Sequence, residues 1–349
     1  MKIYYTLSII ICVSLSVIPK SIDAQSYQGE EILMQPGARA GSLGDAYSSL
    51  AVGAYSTYYN PAGSVQQKEK YHVAFVRQKR AWYDAPLVRE NIDQQYYHQT
   101  SISLKLNDSW AIAGSYASQE LTQIKDIGFS YRDARVVVGR KIGKKASLGI
   151  GIERFEKEWY EWIKFSTYTY SFGYLHQGII ALPVYGKDTT STSLAIVLGG
   201  INGGIKFVDA GQSDPFATYA RLGLSTVISN TSFAVGLISF DARKVLVNAT
   251  YIGDRFWFAP LYNGWDTEAT SFHFGTEWKI KNEKISLRFG KSYERDSNPR
   301  IQRWSVGLGY LSRGIEINLA RESSQVQFLH HQDYFSIDGT RIGLSVLLN

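Results

Sequence analysis

The sequence contains little cysteine and proline, and each shortage excludes a class of protein. A single cysteine, Cys12, among 349 residues excludes a disulfide framework and a zinc site built from cysteines. Only 8 prolines, with 44% apolar and 19% charged residues, exclude a collagen-like or a disordered chain. Long apolar runs are also lacking after the first 24 residues, so the rest of the chain offers no candidate for a membrane-spanning helix.

Aromatic residues and glycine are abundant instead. The chain has 24 Tyr, 16 Phe, 8 Trp and 31 Gly, and its formal net charge is +6. The mean hydropathy of -0.18 suits a soluble protein. It suits a transmembrane β-barrel equally well, because the polar side chains of a lumen offset the lipid-facing side chains in such an average.

The first 24 residues have the pattern of a secretory signal peptide. Lys2 precedes an uncharged run over residues 3–18, and Ala24 is a small residue before the expected cleavage point, which leaves Gln25 as the mature N-terminus. The run is shorter than the roughly 20 residues that a bilayer-spanning helix needs. We therefore expect an exported protein with a cleaved signal peptide, and an uncleaved anchor is the alternative.

From Tyr71 to the C-terminus, apolar and polar residues alternate. Residues 101–106 read Ser-Ile-Ser-Leu-Lys-Leu, and residues 341–348 read Arg-Ile-Gly-Leu-Ser-Val-Leu-Leu. A period of two predicts β-strands with one apolar face, and no comparable stretch repeats with a helical period. The body of the chain, residues 71–349, is therefore predicted to be all-β.

Three features favour an antiparallel transmembrane β-barrel over a soluble sandwich or propeller. The apolar–polar runs are about 9 to 13 residues long, which suits a tilted strand crossing a bilayer. Aromatic residues cluster near the ends of the runs, as at Trp82 and Trp304, and glycines fall on the polar side, where small residues leave room in a lumen. The soluble all-β folds remain the alternative.

The connections between the runs alternate in length. Short polar turns at one end and long loops at the other are typical of outer-membrane barrels, whose short turns face the periplasm. Fifteen runs read as strands, the weakest at residues 244–252. An antiparallel barrel with both termini on one side needs an even number, so we predict about fourteen strands. The predicted long loops are 81–97, 117–127, 208–216 and 323–337.

The N-terminal part of the mature chain carries two motifs that resemble a known family. Residues 35–50 read QPGARAGSLGDAYSSL, and residues 58–63 read YYNPAG. Together they resemble the opening of the PorV/PorQ family, which belongs to the broader FadL-like outer-membrane barrels. Weaker agreement follows at residues 201–203 (ING), 220–224 (ARLGL), 275–278 (GTEW), 287–290 (LRFG) and 305–310 (SVGLGY).

The resemblance implies that residues 25–70 fold into the lumen of a fourteen-stranded barrel as a plug. It places Asn60, Pro61, Ala62 and Gly63 inside. These residue types suit a narrow lumen, because Asn satisfies nearby backbone groups, Pro restricts φ and the small residues pack closely. The alternative is an ordinary Asn-Pro turn at the start of the first strand.

Two further features bear on this resemblance. Arg39 is the one charged residue within its small-residue stretch before residue 45, and we expect it to pair with a lumen carboxylate, Glu153 or Glu277. The chain ends Leu348-Asn349, whereas barrels of this kind often end with an aromatic residue.

The resemblance also implies a function without catalysis: a component of type IX protein secretion or cargo surface attachment in the outer membrane of a Gram-negative bacterium. Its partners would be outer-membrane lipid, secreted cargo proteins and other secretion components. The loops 81–97 and 254–266 would dock cargo through Trp82, Tyr83, Trp257 and Trp265, because buried aromatics dominate interface energetics. The alternative is a FadL-like passive channel for a hydrophobic small molecule.

Motifs for other chemistry are absent or weak. The sequence has no G-x-S-x-G, P-loop, dinucleotide-binding or H-E-x-x-H motif, so we predict no enzyme, no cofactor and no metal site. The glycine-rich stretch 199–204 predicts a β-bulge or a kink. His330, His331 and Asp333 are interpreted as a solvated loop. The basic clusters 77–80 and 140–145 favour anionic lipid head groups over nucleic acid.

Overall fold

Fourteen long strands dominate the structure, a computed structural model. It describes residues 36–83, 95–124, 127–159, 163–184, 187–201, 205–206, 213–214, 218–230, 234–246, 270–280, 284–294, 300–327 and 334–349. The predicted signal peptide, residues 1–24, lies outside the described residues.

The long strands pair in one closed antiparallel barrel, which confirms the predicted fold class and strand count. Each pairs with its neighbours along the chain, and the first and last strands close the ring with Tyr71 opposite Leu348. A two-stranded hairpin, β8 (Ile205–Lys206) and β9 (Ser213–Asp214), lies apart from it. The barrel strands are β1 (Tyr71–Tyr83), β2 (Gln95–Lys105), β3 (Trp110–Ile124), β4 (Ile127–Lys141), β5 (Ala146–Trp159), β6 (Ile163–Val184), β7 (Lys187–Ile201), β10 (Tyr219–Asn230), β11 (Ala234–Val245), β12 (Thr270–Ile280), β13 (Ile285–Glu294), β14 (Arg300–Ser312), β15 (Ile315–Gln327) and β16 (Tyr334–Leu348).

The alternation of the sequence sets the two faces of the wall. On β16, Ile342 and Leu344 point outward and are exposed, whereas Arg341 and Ser345 point into the lumen and are buried. Closure leaves no open edge among the barrel strands, so backbone groups are paired within the wall, as a lipid environment requires. None of the helices that the structure describes is long and apolar enough to cross a membrane.

The connections differ at the two ends, as predicted, but two of the predicted long loops are largely strand. β3 continues to Ile124 and β4 starts at Ile127, with these two residues paired, so the described residues of this segment, 117–124 and 127, are strand. β15 and β16 likewise extend into the segment predicted as loop 323–337. Antiparallel pairing satisfies backbone groups whether the side chains are polar or apolar, so the described polar residues near the ends of these strands remain strand.

The register of the wall shifts at several places, and one of them is at the glycine-rich stretch. The register between β6 and β7 shifts between the pairs Tyr170–Ile201 and Phe172–Leu198, and Gly200 has φ +65°. The predicted β-bulge at the glycine-rich stretch is therefore present.

Residues 36–70 lie inside the barrel and are called the plug below. They form four short turns of helix: the α-helices Ala38–Ser42 and Ser56–Tyr59, and the 3-10 helices Gly53–Tyr55 and Pro61–Gln66. Most plug residues up to Gln67 are buried, and an aromatic core of tyrosines joins the plug to the wall. β1 begins directly after the plug, at Tyr71.

Candidate functional site: the interface of plug and wall

A row of three glycines forms the floor under the turn at Pro61. Gly139, Gly149 and Gly173 face one another across β4, β5 and β6, because Gly139 pairs with Gly149 and Gly149 with Gly173. A Cβ atom at Gly149 would collide with the Pro61 carbonyl carbon, and one at Gly173 with Asn60 Oδ1. The wall therefore offers bare backbone where the plug approaches most closely.

Asn60 begins the second 3-10 helix of the plug and is fully buried. Its Oδ1 accepts a hydrogen bond from the Ala62 N–H at 3.0 Å, the arrangement of a helix N-cap. Its Nδ2 donates to the carbonyl oxygens of Ser48 at 3.3 Å and Tyr174 at 3.1 Å, so it joins two parts of the plug to β6. Asn60 and Pro61 thus lie in the lumen, ten residues before the first strand.

Gly63 lies in the same turn and is equally confined. A Cβ atom there would collide with the carbonyl oxygen of Ala51, so only glycine fits between the two plug segments. Ala62 is fully buried and its carbonyl oxygen accepts a hydrogen bond from Ser147 Oγ at 2.9 Å.

Arg39 contacts one of its two expected partners. Its Nε and Nη2 donate to the two carboxylate oxygens of Glu277 on β12, at 3.1 and 2.8 Å. Glu277 also accepts from Arg288 Nε at 2.6 Å. Glu153 on β5, the other expected partner, instead lies 2.8 Å from Arg135 on the neighbouring strand β4.

Asp45 is the acidic counterpart of Arg39 in the plug, and sequence reasoning did not identify it. One of its carboxylate oxygens accepts from Arg303 at 2.8 Å, and the other accepts from Arg341 at 3.3 Å and from the Tyr59 hydroxyl at 3.1 Å. Burial would raise the pKa of Asp45, but the two guanidinium groups outweigh burial and hold that pKa well below its ordinary value. Asp45 has φ +64°, directly after Gly44 at +63°, so the backbone turns sharply to aim this carboxylate at the wall.

Asp241 on β11 is a carboxylate of the wall that binds the backbone of the plug. Its Oδ2 accepts from the backbone N–H groups of Tyr47 and Ser48, at 3.1 and 2.9 Å, and from Arg221 Nε at 2.7 Å. The sequence carries only a weak signal for this role, a single acidic residue among the inward positions of β11.

A fourth polar cluster surrounds Tyr58. Its hydroxyl donates to Asp133 at 2.6 Å, and the guanidinium carbon of Arg135 lies 3.9 Å from the centre of its ring. Tyr58 also lines a crevice of about 20 Å³ between plug and wall, room for about one water molecule. The other residues that line it are Thr57, Pro61, Arg135, Val137, Ile152, Glu153, Ser171, Val197, Gly200 and Tyr219.

Within each cluster the positive and negative side chains neutralise one another, and their contacts fasten the plug to the wall. Each lumen carboxylate named above faces at least one guanidinium group. Among the described residues, no three His, Cys, Asp or Glu side chains converge as a metal site would require.

The predicted docking aromatics lie apart from the plug. Trp82 and Tyr83 end β1 opposite Ile337 and Ser336 of β16, at the end of the barrel away from Tyr71 and Leu348. Trp257 and Trp265 lie outside the described residues.

Comparison with solved structures identifies barrels of the same architecture. The CymD monoaromatic hydrocarbon channel matches with a TM-score of 0.60 and 9% identity, over 93% of this chain and 99% of that one. The Ralstonia pickettii toluene transporter TbuX matches with a TM-score of 0.58 and 9% identity, over 90% and 98%. A Pseudomonas aeruginosa FadL homologue matches with a TM-score of 0.52 and 12% identity, over 89% and 97%.

These matches establish a FadL-like fold. A match over 90% of the chain is longer than residues 71–349, so it extends into the N-terminal segment as well. No family model and no curated protein matches the sequence.

Proposed function

We propose that this protein is a non-enzymatic barrel of a Gram-negative outer membrane that passes hydrophobic small molecules. The observation that carries the proposal is the fold shared from end to end with a toluene transporter and a monoaromatic hydrocarbon channel. The outward apolar face of the wall fits this location, because it would contact acyl chains.

The crevice beside Tyr58 is the proposed binding place. Tyr58, Val197 and Tyr219 supply aromatic and aliphatic surface, which suits a small apolar solute. Its volume of about 20 Å³ admits no aromatic hydrocarbon, so passage requires the plug to move.

An exit through the wall is favoured beside this crevice. The crevice reaches Ile152, whose side chain is on the outer face of β5. The β6–β7 ladder shifts register at the same height, next to Gly200. A solute leaving between these strands would pass the Arg135–Glu153 pair that lines the crevice, but not the clusters around Asp45 and Glu277.

Toluene uptake by intact cells tests the channel. Radiolabelled toluene is supplied to the parent strain, to a deletion strain, and to strains with Val197→Trp, which fills the crevice, or Ile196→Trp, which faces outward. We expect severalfold slower uptake in the deletion and Val197→Trp strains and normal uptake with Ile196→Trp. Equal uptake in the parent and deletion strains would overturn the proposal for this solute class.

A role in type IX secretion or cargo attachment is the second candidate. It is favoured by the plug itself, because the two motifs that resemble the PorV/PorQ family fold together there and fill the lumen. In this role Trp82, Tyr83, Trp257 and Trp265 would anchor secreted cargo at the outer rim. A deletion strain that retains cargo proteins in the periplasm while taking up toluene normally would favour this role over the channel.

A further inference from the structure

On four adjacent strands, the outward side chains change from apolar to mainly polar or basic at the same level of the barrel wall. On β15, β16, β1 and β2, the outward residues nearest the short-turn end are apolar. Leu319, Ile342, Phe75 and Ile102 are examples, and all four are exposed. Their side chains form a band that acyl chains would cover.

Basic side chains follow directly beyond this band. Arg77 and Lys79 on β1, His98 on β2 and Arg321 on β15 all point outward and are exposed. On β1, Gln78 and Arg80 alternate with Arg77 and Lys79 and belong to the lumen face. The basic cluster at residues 77–80 is therefore divided between the two faces of the wall.

The pairing of the strands places these basic side chains next to one another. Thr340 on β16 lies opposite Arg321 on one side and opposite Lys79 on the other, so the three residues form one row. Arg77 lies one step nearer the band, opposite His98. With strands about 4.8 Å apart, Arg321 and Lys79 are separated by about 10 Å, which their long side chains can bridge around one ligand.

The patch has more positive than negative charge. Asp338 is the one carboxylate among the described outward residues of this face beyond the band, and it lies 2.6 Å from Arg321. The outer face of β4–β6 differs, because there two cations have carboxylate partners. Arg154 lies 2.5 Å from Glu156, and Lys164 lies 2.7 Å from Glu158.

We propose that the patch formed by Arg77, Lys79, His98 and Arg321 binds the phosphate of a phosphorylated glycolipid of the outer leaflet. Guanidinium and ammonium groups are strong phosphate ligands, and the apolar band beneath would hold the acyl chains of the same molecule. The patch lies at the end away from the short turns, which faces the cell exterior in barrels of this kind. The proposal rests on the outer-membrane location proposed above, but not on passage of a solute.

Native mass spectrometry of the full barrel in detergent tests the site, with diphosphoryl lipid A as the probe. We expect lipid A to bind the wild type, and Arg77→Gln/Lys79→Gln to weaken its binding by about 30-fold, since each surface cation contributes roughly a factor of five. The control Arg132→Gln/Arg154→Gln removes two cations from the β4–β6 face and should leave binding unchanged. Circular dichroism confirms that each variant retains its strands.

Several results would overturn the site. Equal lipid A binding by the patch variant and the wild type would do so, as would an equal loss in the control variant. Tighter binding of phosphatidylglycerol than of lipid A would show that the patch selects an ordinary anionic phospholipid instead. Because lipid binding is measured without transport, failure here leaves the toluene result standing, and the converse also holds.

Discussion

Arg39 of the plug and Glu277 of β12 form a two-point contact across the lumen, 238 positions apart in sequence, at 3.1 and 2.8 Å. Glu277 is buried and Arg39 keeps about a fifth of its side chain exposed. This pair ties the first helix of the plug to one side of the wall, while Asp45 ties the turn that follows to Arg303 on β14. The plug is thus held by one positive and one negative side chain, and each of them pairs with a side chain of opposite charge on the wall.

Replacing Arg39 by Gln should loosen the plug without opening the barrel. Glu277 keeps Arg288 as a partner, so the loss should be about 1–2 kcal/mol, less than for a buried pair left without any partner. Limited proteolysis of the detergent-solubilised protein would measure it, as faster cleavage within residues 36–70. Arg154→Gln, which breaks an exposed pair on the outer face, is the matched control and should leave cleavage unchanged.

Asp45→Asn should also destabilise the plug, by about 1–3 kcal/mol, because the buried Arg303 and Arg341 lose their shared carboxylate while Glu294 and Glu322 remain as their partners. The pKa of Asp45 is lowered on folding, so its contribution is present above the unfolded value near 3.9 and is lost as the pH falls toward the folded pKa. The stability difference between wild type and variant should therefore be constant from pH 5 to 8 and shrink below about pH 4. Urea unfolding at several pH values measures it, and a difference that grew at acid pH would contradict the assignment.

Both polar atoms of the Asn60 side chain should contribute to the stability of the protein. Asn60→Ala removes the cap of the Pro61–Gln66 helix and the donors to Ser48 and Tyr174, for an expected loss of about 2–3 kcal/mol. Asn60→Asp keeps the cap acceptor but turns a buried carboxylate oxygen toward the carbonyl oxygens of Ser48 and Tyr174, so its unfolding midpoint should lie below that of Asn60→Ala. An aspartate variant as stable as the wild type would show that the two donated bonds contribute nothing.

The glycine floor should tolerate no side chain. Gly149→Ala places a methyl group against the backbone of Pro61 and Ala62, so we expect displacement of the plug and protease sensitivity within it. Gly143→Ala lies in a short turn where a Cβ would meet nothing within 4 Å, and it should behave as wild type. If both variants resisted protease equally, the close approach of plug and wall would be refuted.

The barrel was readable from the sequence because a strand imposes its period locally. Alternation over residues 341–348 predicts which side chains face out, and β16 has that arrangement, with Ile342 exposed and Arg341 buried. The pattern by itself gave fifteen strand-like runs, and the count of fourteen needed the rule that such a barrel closes with an even number. The ends of strands were not readable, since residues 117–121 resemble a loop in sequence while their backbone remains paired with β4.

Contacts across the lumen were decided by tertiary structure alone. Composition and spacing left Glu153 and Glu277 equivalent as partners of Arg39, and they did not single out Asp45 or Asp241. The sequence by itself determined which residues point inward, because each side chain's direction depends on its own strand. Which inward residues meet depends on the register in which fourteen strands close and on where the plug settles, and both depend on the whole chain at once. The same closure places Arg321 and Lys79 on either side of Thr340, although 242 positions separate the two cations in the chain.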